Sequence, residues 1–123
     1  MNNRYEGIAG ETAAVEYLQA KGYQIVERNY ANKVGEIDII ARDKEYWVFV
    51  EVKTRRDDKF GKAIEAVTPD KITKIVKCAT WYLTSHKLTQ ADVRFDIVCV
   101  GGESIEHVVN AFTAADQGKR QHW

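Results

Sequence analysis

Cysteine is nearly absent from this chain of 123 residues: Cys78 and Cys99 are its only two, and they share no Cys-x-x-Cys spacing. A zinc ribbon or a disulfide framework therefore finds no support, and two small buried thiols on apolar faces are expected instead. Long apolar runs are missing as well. None approaches the length that spans a bilayer, and Met1 to Glu6 lacks the hydrophobic segment of a secretory signal. A cytoplasmic location, away from any membrane, is the expectation. His86, His107 and His122 are scattered without metal-ligand spacing, so nothing favours a histidine-based mechanism. Neither a phosphate-cradling glycine loop nor a nucleophile elbow is present. Charge of one sign is not in excess either: the net charge is zero, which argues against simple non-specific coating of nucleic acid.

What is present is ordinary in bulk and uneven in detail. The length suits one hydrophobic core, expected here as a single domain over residues 1–112, with residues 113–123 as a patternless flexible tail. Residues 1–52 carry six Lys/Arg against nine Asp/Glu, and residues 78–123 carry four against five. Residues 53–77 reverse the sign, with eight basic against four acidic side chains. A segment of that sign could meet phosphates, or could simply be solvated surface.

Periodicity gives the order helix, three strands, helix, two strands. Ile8, Val15 and Leu18 mark one stripe of a helix over 6–21, closed by Gly22, and Glu11 lies on that same stripe. Tyr23 to Tyr30 has strand composition, followed by a turn at Asn32-Lys33-Val34-Gly35. In a second strand over 36–42, Ile37, Ile39 and Ala41 share one face while Glu36, Asp38 and Ile40 share the other. Asp43-Lys44-Glu45 is a tight polar connection, so Tyr46 to Lys53 should return antiparallel, with Trp47, Phe49, Glu51 and Lys53 on one face. Thr54 to Val67 reads as a mobile polar loop. Thr68-Pro69-Asp70 then opens a helix with a capping hydroxyl, a first-turn proline and an acid at the positive end of the dipole. Its buried stripe is Ile72, Ile75, Val76, Ala79 and Leu83. Val93 to Val100 and Ile105 to Val109 are the last strands, joined at Gly101-Gly102.

The chemistry concentrates on the second and third strands. Asp38, Glu51 and Lys53 are charges where burial is expected, and burying charge is costly without compensation. Magnesium, or manganese, is a natural compensator, since it is commonly held by one or two carboxylates, waters and phosphate oxygens. Asp38 and Glu51 on adjacent strands could share such an ion, with the Val52 carbonyl as a third oxygen. Lys53, on the same side as Glu51, could orient a water or stabilise charge on a phosphate. Glu11 could reach the metal directly or through water, or could instead be a carboxylate bonded to backbone groups. Equally, Glu51 and Lys53 could be a plain ion pair ending a strand. Lys71, Lys74 and Lys77, with Trp81 one turn on, fit either a phosphate-tracking face or the solvated side of an amphipathic helix. Arg94 and Asp96 are expected to pair with each other, and Glu65 could be site-adjacent.

The element order with Asp38 and Glu51-Val52-Lys53 resembles the restriction-endonuclease-like nuclease superfamily, which implies an α/β fold with a central mixed sheet flanked by helices. Gly7-Ile8-Ala9-Gly10-Glu11, Tyr17-Leu18 and Lys21-Gly22-Tyr23 resemble the opening of archaeal Holliday junction resolvases, where the first-helix glutamate belongs to the active site. Gly35 to Ala41, Val48 to Arg55, Phe60-Gly61, Glu65-Ala66-Val67 and Arg94-Phe95-Asp96 together resemble the bacterial YraN-like family. The superfamily's usual proline before the aspartate is replaced by Ile37. The resemblance implies that Asp38, Glu51 and the Val52 carbonyl ligate the metal, that Lys53 is the catalytic lysine, and that Glu11 is an accessory acid. The expected function is a metal-dependent endonuclease on branched or structured DNA, possibly homodimeric, with Arg55, Arg56, Lys71 and Lys74 meeting phosphates. A binding module without hydrolysis, or a purely structural adaptor, are the alternatives.

Overall fold

A computed structural model describes residues 3–55, 67–101 and 104–114, with the side chains of residues 3–9 and of Arg55 outside that description. The element order is α1 (Asn3–Ala20), β1 (Gln24–Ala31), β2 (Glu36–Asp43), β3 (Tyr46–Arg55), α2 (Pro69–Ser85), β4 (Asp92–Gly101) and β5 (Ser104–Phe112). This is the α-β-β-β-α-β-β order expected from periodicity. The strands form one five-stranded sheet in sequence order. All neighbours are antiparallel except β3 and β4, which run parallel with α2 as the crossover. No described helix is long and apolar enough to cross a membrane.

Local chemistry explains the boundaries. Gly22, at φ +97°, takes the left-handed position after α1. The Tyr23 N–H donates to the Leu18 carbonyl and the Gly22 N–H to that of Gln19, so two orphan carbonyls are satisfied. At α2, the Thr68 hydroxyl accepts from the Lys71 N–H, with Pro69 and Asp70 in the first turn, as read from the sequence.

Each helix covers one face of the sheet. Ala14, Val15 and Leu18 of α1 pack with Ile39, Ala41, Val48, Val50 and Val98. On the opposite face, Ile72, Ile75, Val76, Cys78, Ala79 and Tyr82 of α2 pack with Ile40, Phe49, Phe95, Ile97 and Cys99. Both thiols are buried and free of disulfides, as expected. Leu83 is only half-buried, whereas Tyr82 is the largest fully buried side chain. Its ring meets Tyr30, Trp47 and Phe49, an aromatic cluster that helical spacing alone did not single out.

Strand bounds differ modestly from expectation, with β3 running on through Thr54 and β5 through Phe112. One face assignment needs correction. Ile37 joins the α2-side cluster rather than sharing a face with Ile39 and Ala41. The cause is local: the paired β2–β3 register runs only from Ile39–Val50 to Asp43–Tyr46. The turn before β2 is tied to α2 by Asn32, whose Nδ2 donates to the Cys78 carbonyl (3.3 Å). Where β2 leaves β3 and follows α2, strict alternation no longer governs which cluster a side chain reaches. The expected mobile loop falls mostly on residues 56–66, which lie outside the described residues, as do Arg56, Phe60-Gly61, Glu65 and the tail from residue 115.

Candidate functional site

A two-residue turn at Lys44-Glu45 fixes the hairpin register, Asp43 opposite Tyr46 and Ile39 opposite Val50. Extending that register by one step sets Asp38 opposite Glu51, just where the ladder ends. Like charges directly opposite repel, and both groups are shielded from water: Glu51 is buried and Asp38 largely so. The two carboxyl groups lie close enough for each to feel the other's charge. Burial, then repulsion from Glu51, pushes the Asp38 carboxyl up to about 7 from its ordinary 3.8. Glu11 on α1 adds to that repulsion, so it too lies in the field of this pair. The Val52 N–H opposes the shift by donating to Asp38 Oδ2 at 2.8 Å. A residue's N–H and C=O leave a strand on the same side, so the Val52 carbonyl opens toward the same gap.

Two cations face the acids from the α2 side of the sheet. Lys53 Nζ and Lys71 Nζ each lie 3.4 Å from Glu51 Oε2. Lys53 shares Glu51's face of β3, as alternation requires. Lys71 reaches the same oxygen from the first turn of α2, where the sequence suggested surface. Lys74 and Lys77 stay exposed further along the helix. The backbone of Arg55 ends β3, but its side chain falls outside the description.

Close approach of α1 depends on Gly10. A Cβ there would lie 2.5 Å from Thr54 Oγ1 and 3.3 Å from Thr54 Cγ2, so rotating the threonine relieves one clash by making another. Gly10→Ala is therefore expected to destabilise the protein by about 1–3 kcal/mol through overpacking, outweighing the roughly 1 kcal/mol that alanine gains in helix propensity. Denaturant titration should show this loss, and adding Thr54→Ala should restore most of it. A single variant as stable as the parent would show that α1 does not need the glycine to sit where Glu11 is placed.

Sequence reasoning underrated a second polar centre, beneath the C-terminal half of α1. Asp96 is fully buried and accepts from His107 Nε2 (2.7 Å), Arg94 Nε (3.0 Å), the Asn110 N–H (3.0 Å) and the Tyr23 hydroxyl (3.3 Å). Burial alone would raise its pKa, yet the bonds from His107, Arg94 and Asn110 hold it below the ordinary value. Arg94 also bonds Asp43 Oδ2 at 3.0 Å, and its Nη2 donates to the Tyr23 hydroxyl. Burial and the neighbouring Asp96 push Tyr23 up to about 12, so it stays a donor. Lys21 Nζ lies 3.1 Å from His107 Nδ1. An ammonium only donates, so Nδ1 accepts and Nε2 carries the hydrogen given to Asp96. The expected Arg94–Asp96 pairing is present, within a much larger network that anchors α1 to β1, β4 and β5.

The acid pair was tested for a divalent cation on its own chemistry. Among the described residues no three His, Cys, Asp or Glu side chains converge into a metal cage. Magnesium does not require one, because one or two carboxylates suffice when waters and phosphate oxygens complete the octahedron. Buried Glu51 and half-buried Asp38, with a backbone carbonyl on the same gap, are a donor set that fits such an ion.

The profile of the family described as "Uncharacterised protein family UPF0102" matches residues 10–100. A UPF0102 protein of Desulfosudis oleivorans is 47% identical over 117 residues, covering 93% of this chain and 95% of its own. One from Syntrophus aciditrophicus is 46% identical over 117 residues, 92% of each chain. Another, from Syntrophomonas wolfei, is 44% identical over 114 residues, 89% of this chain and 99% of its own.

Proposed function

This chain belongs to the uncharacterised UPF0102 family, the YraN-like family it resembled in sequence, and we propose that it acts there as a metal-dependent endonuclease on DNA. The observation that carries this reading is the Asp38–Glu51 pair, held opposite one another at the end of the β2–β3 ladder beside two lysines. Asp38, Glu51 and the Val52 carbonyl are the groups that would hold magnesium or manganese, with Glu11 as an accessory acid acting through water. An ion bound there supplies Lewis-acid polarisation of a phosphoryl oxygen and eases deprotonation of water.

The protein's own side chains do the rest. Lys53 projects from the acid face and orients an attacking water or balances charge growing on the phosphate. Lys71, with Nζ on the same oxygen of Glu51, is a second cation that would meet a substrate phosphate. Glu11, outside the ligand set, is the acid placed to accept the water's proton. Lys74 extends the cationic surface along the DNA backbone, Arg55 and Arg56 being phosphate contacts expected from sequence alone, and branched or otherwise structured DNA is the substrate class inherited from the resolvase resemblance. A binding module on the same scaffold would keep the lysines' function and dispense with the acids.

A cleavage screen tests this directly. Single-stranded, duplex, flap and four-way DNA should be offered with magnesium, with manganese and with chelator. Nicking of at least one structure, dependent on the metal, is expected. No cleavage of any of them, or cleavage indifferent to chelation, would refute the enzyme reading.

A further inference from the structure

An open apolar groove of about 650 Å³ lies on the outer side of α2, lined by Val34, Lys77, Thr80, Trp81, Thr84 and Ser85. Trp81 is 46% exposed, a large ring left in water beside Lys77, with no acid among the described lining side chains. Its surroundings connect it to the carboxylate pair. Proceeding along α2, Lys71 touches Glu51, the Lys74 Cβ lies 4.0 Å from where a Gly35 Cβ would stand, the Cys78 carbonyl holds Asn32, and Trp81 meets the groove walled by Val34. The start of β2 thus follows the helix from Asp38 to the groove, and Lys71, Lys74 and Lys77 keep to one flank throughout. Thr80 and Ser85 spend their hydroxyl hydrogens on the carbonyls of Val76 and Trp81.

We propose that this groove seats an unpaired base of a single-stranded DNA tail leaving the cleavage site, stacked on Trp81 with its phosphates tracked by Lys74 and Lys77. The occupant follows from charge and shape together. A row of cations leading from a phosphate-cleaving centre to an exposed aromatic is how sequence-tolerant single-strand sites are built. The direction of the strand rests on the nuclease reading of Asp38 and Glu51; the stacking itself does not. Ten helical residues separate Lys71 from Trp81, about 15 Å, which a stacked strand covers in about four nucleotides at roughly 3.4 Å each. The protein therefore prefers duplexes carrying a tail of at least that length over blunt ones.

Fluorescence anisotropy in calcium buffer, where binding is read without cleavage, tests this with labelled duplexes that are blunt or carry thymidine tails of two or eight nucleotides. Wild type should bind the eight-nucleotide tail most tightly. Trp81→Ala should weaken that complex between about 5- and 150-fold, the range of one base stack, and leave the blunt duplex unchanged. Trp81→Phe should retain most of the affinity, which separates stacking from a folding defect. Lys77→Gln should lower the salt dependence of tail binding by about 0.7 in log–log slope. Equal affinity of wild type for tailed and blunt DNA, or a tailed affinity that Trp81→Ala leaves intact, overturns the proposal and leaves the groove to a protein partner. Tail binding through Trp81 without hydrolysis in the cleavage screen would sink the nuclease reading and leave this one standing.

Discussion

Asp38→Asn is expected to lower metal-dependent cleavage at least about a thousandfold, because a lost ligand removes several kcal/mol of charge stabilisation and each 1.4 kcal/mol is tenfold in rate. The same change should make the metal-free protein more stable above neutral pH. In the native chain Asp38 titrates at about 7, against 3.8 when unfolded. Between those values the folded state holds a proton that the unfolded chain has released, so stability falls as pH rises, by up to about 1.4 kcal/mol per pH unit. Asparagine does not titrate, and its variant should lack that decline. Added magnesium should likewise stabilise wild type most at pH 8 and hardly at pH 4. Denaturant titrations across pH, with and without magnesium, read all of this on one protein. Wild type whose stability is flat from pH 4 to 7, or whose cleavage survives the substitution, would remove the acid pair from the mechanism.

Asp96→Ala should destabilise the fold by about 3–5 kcal/mol, the usual consequence of leaving a buried charge without its partner. The alanine strands four donors at once: His107 Nε2, Arg94 Nε, the Asn110 N–H and the Tyr23 hydroxyl all lose their acceptor in a region closed to water. Arg94 keeps Asp43, which is why the loss should not run higher. Asp96→Asn should fall between the two, since an amide oxygen still receives some of these bonds but brings no charge. Urea unfolding provides the comparison. A loss under about 1 kcal/mol would mean that water or a shifted Asp43 replaces Asp96 readily.

Much of this was visible in the linear chain, for reasons that can be stated. Alternation placed Glu51 and Lys53 on one face because β3 is regular through both. The short turn at Lys44-Glu45 made Asp38 a cross-strand neighbour of Glu51, since hairpin register follows loop length. Thr68-Pro69-Asp70 marked the start of α2 because each residue meets a separate requirement of a helix N-terminus. Lys71 was expected to meet phosphates or solvent, and its contact with Glu51 went unread because it depends on where α2 docks, which no local pattern encodes. The Asp96 network escaped for the same reason: its members come from the turn between α1 and β1 and from β2, β4 and β5, and pairing Arg94 with Asp96 by sequence proximity captured only its most local link. Ile37 misled because alternation assumes a continuing ladder, and β2 pairs with β3 only from Ile39 onward.

The end of that ladder also orders how the site is assembled. Asp38 and Glu51 belong to one hairpin with a two-residue turn, the kind of local structure that closes in about 1–10 μs. Lys71 and Glu11 arrive only when α2 and α1 dock, through contacts more distant in sequence and hence slower to form. On that order of closure the two acids would be brought together before their cations and the accessory acid are in place. A divalent ion present during folding would meet the two acids together first, and the helices would close over a site already begun.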